Sequence, residues 1–371
     1  LGEKDTVKLL FAENSGLVFQ SKDDSVEVKL KKAGVDFKKI GEVVQQANLN
    51  LKNQEVELSL NIDSLRDVWY KTSYLLDNEQ TSNNLAKSRY ENYKKQPLFF
   101  NFPQDYQNHH PERSTEKELR PKAAILREKG SNSEREMANA MYLAGFDVKD
   151  VHMTDLIAGR ETLEDIQFIG AVGGFSNSDV LGSAKGWAGA FKYNEKARQS
   201  LLNFFERKDT LSVGICNGCQ LFMELELVNP EHDVHGKMTF NDSHKHESSF
   251  TSVEIEPNDS VMLSSLSGTT LGVWISHGEG KFSLPLGEEK YNIVAKYGYA
   301  DYPSNPNGSD FNTAMMCDKT GRHLVTMPHI ERSIFPWNWA YYPKDRKDQI
   351  SPWLEAFTNA RKWIDLQNEA Q

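Results

Sequence analysis

The chain has little cysteine: three residues in 371, Cys216, Cys219 and Cys317. So odd and sparse a set excludes the disulfide framework of a small secreted fold, and a reducing compartment is expected. Long apolar runs are missing too. No stretch approaches the length that spans a bilayer, and Leu1-Gly-Glu-Lys-Asp5 lacks the apolar core of a signal peptide, so a cytoplasmic location without a membrane partner is expected. Positive charge is short, with 43 Lys and Arg against 53 Asp and Glu for a net charge of −10, and no basic patch with interleaved aromatics offsets it. Nucleic acid is thereby disfavoured as a partner. No Gly-x-Gly-x-x-Gly or Walker-type run occurs, so no nucleotide site is assigned to this chain.

The length suffices for two domains, each with its own core. A start on Leu1, directly in patterned sequence, reads as a chain cut from a longer polypeptide. Residues 1 to about 62 carry alternating segments, Val26-Glu-Val-Lys-Leu30 and Val56-Glu-Leu-Ser-Leu60, which predict a small sheet with one helix. Leu65, Val68, Trp69 and Tyr74 have helical spacing within Ser64–Leu76. The polar stretch 104–120, with His109, His110 and Pro111, reads as a linker.

From Pro121 onward strands and helices alternate. Strands are expected at Ala123–Leu126, Val148–Met153, Phe168–Val172 and Leu211–Ile215, and helices after Ser133 and over Tyr193–Phe205. Ser133-Glu-Arg-Glu136 has the spacing of a capping box. Such alternation predicts an α/β domain, a mostly parallel sheet flanked by helices, with chemistry at the carboxyl ends of its strands. Phe250–Glu256, Leu271–Ile275 and Leu324–Met327 look like antiparallel additions.

Against that background stands Thr210-Leu-Ser-Val-Gly-Ile-Cys216-Asn-Gly-Cys-Gln220, an apolar strand pattern ending on a cysteine bracketed by glycines. Such a run suggests a tight strand-to-helix turn that lifts the sulfur out of the sheet and leaves backbone N–H groups free. A nucleophilic thiol needs activation by a helix N-terminus or an imidazole. Downstream, Leu324-Val-Thr-Met327 ends in Pro328-His329-Ile-Glu331; on an extended segment His329 and Glu331 share a face, so the carboxylate can orient the imidazole. Donors for a developing oxyanion are expected from the N–H of Asn217 and from the Gly173-Gly174 pair that follows a strand.

Blander readings compete. Cys216-x-x-Cys219 alone fits a redox or half-metal motif, though the thioredoxin context and a second ligand pair are absent. Cys219 and Cys317 read as packed thiols. His232, His235, His244 and His246 fit no standard metal spacing, so no metal site is assigned and a solvated loop is the favoured reading. His277 is a rival base, but its glycine-flanked setting suggests backbone contact with substrate.

Taken together, Gly214-Ile-Cys-Asn-Gly-Cys-Gln220, Gly173-Gly-Phe-Ser176 with Asp179-Val-Leu-Gly182 and Lys185-Gly-Trp187, Ser276-His-Gly-Glu-Gly280, Met327-Pro-His-Ile-Glu-Arg332 and the closing Ser351–Arg361 stretch appear in order over residues 121–371. This part resembles the class I glutamine amidotransferase domain, flavodoxin-like in fold, of the formylglycinamide ribonucleotide amidotransferases. Residues 1–103, with Phe11-Ala-Glu-Asn-Ser-Gly-Leu-Val-Phe19, resemble more weakly the end of that family's synthetase portion, a domain related to aminoimidazole ribonucleotide synthetase.

The resemblance implies Cys216 as nucleophile, His329 as general base and acid, and Glu331 as orienter. It further implies Gly174 and Asn217 at the oxyanion hole, and Gln220, Ser276, Gly278 and Glu279 around L-glutamine. Hydrolysis through a cysteine thioester would supply ammonia for purine biosynthesis. No cofactor is expected on this chain; ATP and Mg belong to the separate synthetase portion, which is the expected partner. Three departures stand out. Asn177-Ser178 replaces the usual Tyr-Gly, Ile330 replaces the proline between His329 and Glu331, and extra histidines flank Glu247 within Asn241–Ser249. A cysteine hydrolase acting on another amide, and a silent docking module, are the competing functions.

Overall fold

A computed structural model describes residues 5–53, 56–93, 99–106, 108–112, 114, 116 and 120–370. The chain divides into two compact units, Leu1–Glu79 and Gln80–Gln371.

In the first unit Asp5 caps helix α1 (Thr6–Phe11), accepting the Val7 N–H at 3.0 Å. Helix α2 (Ser25–Lys32) stands where alternation at Val26, Val28 and Leu30 predicts a strand. Five residues of alternation are a weak signal, and the charge order favours a helix. Glu27 lies in the first turn and Lys29, Lys31 and Lys32 in the last, which complements the helix dipole. Strands β1 (Asn48–Lys52) and β2 (Glu57–Asn61) pair antiparallel, Leu49 opposite Leu60 and Leu51 opposite Leu58. Helix α3 (Ile62–Gln80) contains the expected Ser64–Leu76 segment.

The expected boundary at residue 103 differs from the division between Glu79 and Gln80. The reason is local bonding. Ser82 N–H donates to the Ser243 carbonyl at 3.1 Å, and Arg89 of helix α4 (Leu85–Asn92) pairs with buried Glu247 at 2.9 Å. Within the expected linker, residues 107, 113, 115 and 117–119 lie outside the described residues. Its described part is fastened to the larger unit: Arg346 donates to the Tyr106 hydroxyl at 2.9 Å, and Gln349 N–H to the Asn108 carbonyl at 2.9 Å.

The larger unit then alternates β3 (Lys122–Arg127), α5 (Glu134–Leu143), β4 (Asp147–His152), α6 (Met153–Ala158), β5 (Phe168–Ala171), α7 (Lys185–Lys192), α8 (Glu195–Glu206), β6 (Leu211–Ile215) and α9 (Asn217–Glu224). After it come β7 (Lys237–Thr239), β8 (Glu247–Ile255), β9 (Thr270–His277), β10 (Lys281–Ser283), β11 (Asn292–Tyr297), β12 (Thr313–Cys317), β13 (His323–Thr326) and α10 (Trp353–Glu369). Nine strands form one sheet in the order β4-β3-β5-β6-β13-β12-β11-β8-β9. Every residue of β5 and β6 is buried, as expected of strands covered on both faces. Helix α5 packs on β3 and β4 with α10 beside it, while α9 rests on β5 and β6 and touches α7, which packs on α8.

The predicted α/β architecture is present, with a parallel half from β4 to β13 and an antiparallel extension from β12 to β9. One strand departs from expectation. Leu324–Met327 was expected to add antiparallel, but β13 pairs parallel with β6 and antiparallel with β12, because it is the seam between the two halves. Ser133 also departs. Its φ of 71° removes it from capping geometry, and its Oγ instead accepts the Gly173 N–H at 3.3 Å, tying the start of α5 to the loop after β5.

Candidate active site

Cys216 sits where β6 ends and α9 begins, at φ 52° and ψ −103°, a strained backbone for a residue with a side chain. Neighbours on both sides hold it there: its N–H donates to the Thr326 carbonyl of β13 at 2.8 Å, and its carbonyl accepts the Gln220 N–H at 3.0 Å. The turn also needs α9 pressed onto β5. A Cβ at Gly218 would lie 2.0 Å from the Ala171 carbonyl oxygen, so only glycine permits that approach. The thiol emerges at the carboxyl end of the sheet, where Sγ donates to the Ser276 carbonyl at 3.4 Å and lies beside the His329 ring.

His329 is held by its own N–H, which donates to the Trp274 carbonyl of β9 at 2.8 Å. Its ring is 2% exposed, and Nδ1 lies 2.7 Å from Glu331 Oε1. The extended segment expected here is instead a single 3₁₀ turn over Ile330–Arg332, closed by Arg332 N–H donating to the His329 carbonyl at 3.2 Å. Ile330 turns fully into the core, and the turn swings Glu331 back under the ring. Burial disfavours the imidazolium, but the Glu331 carboxylate, its hydrogen bond and the adjacent Cys216 sulfur outweigh it, and His329 is pushed up to about 10. Burial alone would raise Glu331; the facing His329 charge and hydrogen bond hold it below its ordinary range. Glu331 Oε2 is buried without a hydrogen-bond partner among the described residues.

Gly173 and Gly174 pass beside this pair. A Cβ at Gly173 would come within 2.8 Å of His329 Cε1 and 3.5 Å of Cys216 Cβ. Asn132 N–H donates to the Gly173 carbonyl at 2.8 Å and Phe175 N–H to the Gly130 carbonyl at 2.9 Å, so this bridge leaves the Gly174 N–H outside it. Asn217 opens α9, its Oδ1 accepting the Ser176 N–H at 3.2 Å and its Nδ2 donating to Gln220 Oε1 at 2.9 Å. The two expected oxyanion donors thus come from loops that are bonded to each other.

Beyond the sulfur lies a cavity of about 110 Å³ whose wall includes Cys216, Gln220, Ser276, Gly278 and Glu279. All four residues expected around the substrate therefore meet at Cys216. Gln220 reaches the wall with its amide already committed, Nε2 donating to the Glu279 carbonyl at 2.8 Å. The Glu279 carboxylate accepts the Ser183 N–H, both oxygens at 3.3 Å. A second cavity of about 530 Å³ opens on the His329 side, walled by Arg135, Trp274, Glu331, Arg332 and Trp337, with Ser276 shared between the two.

The sequence model of the CobB/CobQ-like glutamine amidotransferase domain matches residues 120–364, the part that carries the whole of this site. The chain belongs to the CobB/CobQ-like glutamine amidotransferase family. It is 38% identical over 96% of its length to the probable chloroplastic/mitochondrial phosphoribosylformylglycinamidine synthase of Arabidopsis thaliana. It is 36% identical over 97% of its length to phosphoribosylformylglycinamidine synthase of Homo sapiens. It spans only 27% and 29% of the lengths of those relatives. In fold it is similar to PurLQS from Thermotoga maritima, with a TM-score of 0.52 and 23% identity over 68% of this chain and all of that one.

Within this amidotransferase domain the rival base is disposed of by its surroundings. His277 is fully buried, and burial pushes its ring down to about 3. Nδ1 faces Asn241 Oδ1 at 3.2 Å and Nε2 faces Asn307 Nδ2 at 3.4 Å, so it is a neutral ring inside an amide network. Burial raises the Cys219 thiol well above its ordinary value and pushes Cys317 up to about 12, which leaves both as packed thiols. Buried Glu247 anchors α4 through Arg89 and accepts the Tyr302 hydroxyl at 2.9 Å. Among the described residues no group of three or more His, Cys, Asp or Glu side chains is placed to hold a metal ion.

Sequence reasoning assigned no pocket role to two titratable residues of the cavity wall. Asp179, raised by burial and by the Glu279 charge, stands in the wall, as does His246, whose Nε2 lies 3.0 Å from Ser276 Oγ. His246 belongs to the stretch read as a solvated loop. Its partners His232 and His235 do lie elsewhere, against Tyr291 at 5.3 Å and Glu226 at 3.4 Å.

Proposed function

We propose that this chain hydrolyses the side-chain amide of L-glutamine and delivers the ammonia to a synthetase portion of a longer protein. Cys216 attacks the γ-carbonyl carbon as a thiolate whose proton is already held on His329, and the oxyanion forms against the N–H groups of Gly174 and Asn217. His329 returns the proton to the departing nitrogen, the C–N bond breaks, and ammonia leaves a γ-glutamyl thioester. A water that gives its proton to His329 adds to the thioester, and expulsion of the sulfur yields glutamate. Glu331 positions the ring and stabilises its cationic form. Gln220 positions Asn217 and Glu279, while Ser276, Gly278 and Glu279 wall the substrate.

The observation that carries this reading is a single one: the thiol on a strained strand-to-helix turn, beside an imidazole that a buried carboxylate holds at 2.7 Å, opens on the cavity containing Gln220 and Glu279. The names of the relatives favour conversion of formylglycinamide ribonucleotide to its amidine as the use of the ammonia. ATP and Mg²⁺ would act in that other portion, and no step on this chain runs through them. The test is to treat the chain with a glutamine-mimicking diazoketone amino acid and map the label. Labelling of Cys216, blocked by glutamine, with glutamate released from glutamine itself, is expected. Labelling of Cys219 or Cys317 that spares Cys216 would overturn the assignment.

A further inference from the structure

Glutamine is a zwitterion, so its pocket needs partners of both signs at the α-carbon end. The small cavity offers two carboxylates, Asp179 and Glu279, for the ammonium. For the carboxylate the wall contains no lysine or arginine among the described residues. Its side-chain donors are almost all committed. The Ser183 hydroxyl bonds Asp179 at 3.2 Å, the Gln220 amide bonds the Glu279 carbonyl, and buried His277 is enclosed by Asn241 and Asn307. His246 is the exception. Its ring is exposed and lies 5.9 Å from the Phe175 ring, with Nε2 against Ser276 Oγ and no partner at Nδ1 among the described residues. The Ser276 carbonyl in turn receives the nucleophilic thiol, which places His246 one residue away from the reacting sulfur.

From this inventory we infer that His246 binds the α-carboxylate of glutamine and sets the pocket's selectivity for an amino acid over a simple amide. The inference rests on the glutaminase reading and adds to it a specificity residue that the amidotransferase resemblance did not supply. Ser276 Oγ donates to Nε2 in the free pocket, leaving an Nδ1–H to meet the carboxylate.

The experiment compares the intact chain with His246→Phe, which keeps a ring beside Phe175, and His246→Gln, which keeps an uncharged donor. The probes are glutamine, γ-aminobutyramide, which is glutamine without its carboxylate, the diazoketone amino acid and iodoacetamide. His246→Phe is expected to raise KM for glutamine and slow diazoketone labelling of Cys216 by about 10- to 100-fold, the range for losing a hydrogen bond to a charged group. kcat for glutamine, turnover of γ-aminobutyramide and iodoacetamide labelling should stay within about twofold, with His246→Gln intermediate. Equal losses for glutamine and γ-aminobutyramide would overturn the inference by making His246 a packing residue, and no loss for either would overturn it outright. If the unsubstituted chain gave no diazoketone label on Cys216 while iodoacetamide still reacted, the glutaminase reading itself would fall, and the inference with it.

Discussion

At the scale of single residues, the site's chemistry depends on one carboxylate that never meets substrate. Glu331 Oε1 fixes His329 through Nδ1, and a neutral amide in its place would favour the wrong tautomer and remove the charge that raises the ring. Glu331→Gln is therefore expected to lower kcat for glutamine by roughly 10³- to 10⁴-fold with little change in KM, since the substrate wall is untouched. A steady-state measurement checks it, and a loss confined to KM would contradict the orienting role. Cys216, His329 and Glu331 were legible in the sequence because each sits in a short local pattern whose chemistry leaves few alternatives. His246 was not, since its place in the pocket follows from the register that sets Glu247 opposite His277 and Ser248 opposite Ser276. Nothing within Asn241–Ser249 reports that pairing. Gln220 lies between these cases: its location was legible, but the commitment of its amide to Glu279 and Asn217 depends on a neighbouring loop.

At the scale of elements, the loop from β5 to α7 gathers left-handed residues beside the pocket. Asn177, Ser178 and Asp179 stand in succession at φ 53°, 56° and 50°, held by Ser176 N–H on Asn217 and Ser183 N–H on Glu279. Ser178 is exposed, so glycine there sacrifices no packing. Relief of the left-handed backbone is worth about 1–2 kcal/mol, against up to about 1 kcal/mol for the freer unfolded chain. Ser178→Gly should thus stabilise the larger unit by roughly 0.5 kcal/mol, seen as a higher denaturant midpoint at unchanged slope. A lower midpoint would show that the loop does not need that conformation. Elements with a buried apolar run of definite length, such as β3, β5 and β6, were readable from pattern alone. Helix α2 and the 3₁₀ turn after His329 were not: five alternating residues do not outweigh charge order, and a turn set by burying Ile330 depends on a core that local sequence does not display.

At the scale of the whole molecule, three buried histidines give the larger unit a stability that depends on pH from both sides. His329 is pushed up to about 10, so above its unfolded value near 6.5 the folded state binds more protons than the unfolded one. Its contribution is full below about pH 6.5 and is lost as pH rises through about 10. His277 and His323 run the other way. Burial pushes them down to about 3 and about 4, so the unfolded chain takes up protons there first, and stability is lost as pH falls below about 6.5. Glu331, held low, joins that loss only below its ordinary value of about 4.5. Unfolding midpoints of the Gln80–Gln371 unit should therefore peak near pH 6.5 and fall toward both about pH 5 and about pH 9.5. Glu331→Gln should flatten the alkaline limb above pH 6.5, because the charge that raises His329 is gone, while the limb between pH 5 and 6.5 persists. An alkaline limb of full steepness in that variant would show that His329 draws its proton affinity from elsewhere in the fold, and the catalytic role proposed for the pair would lose its electrostatic basis.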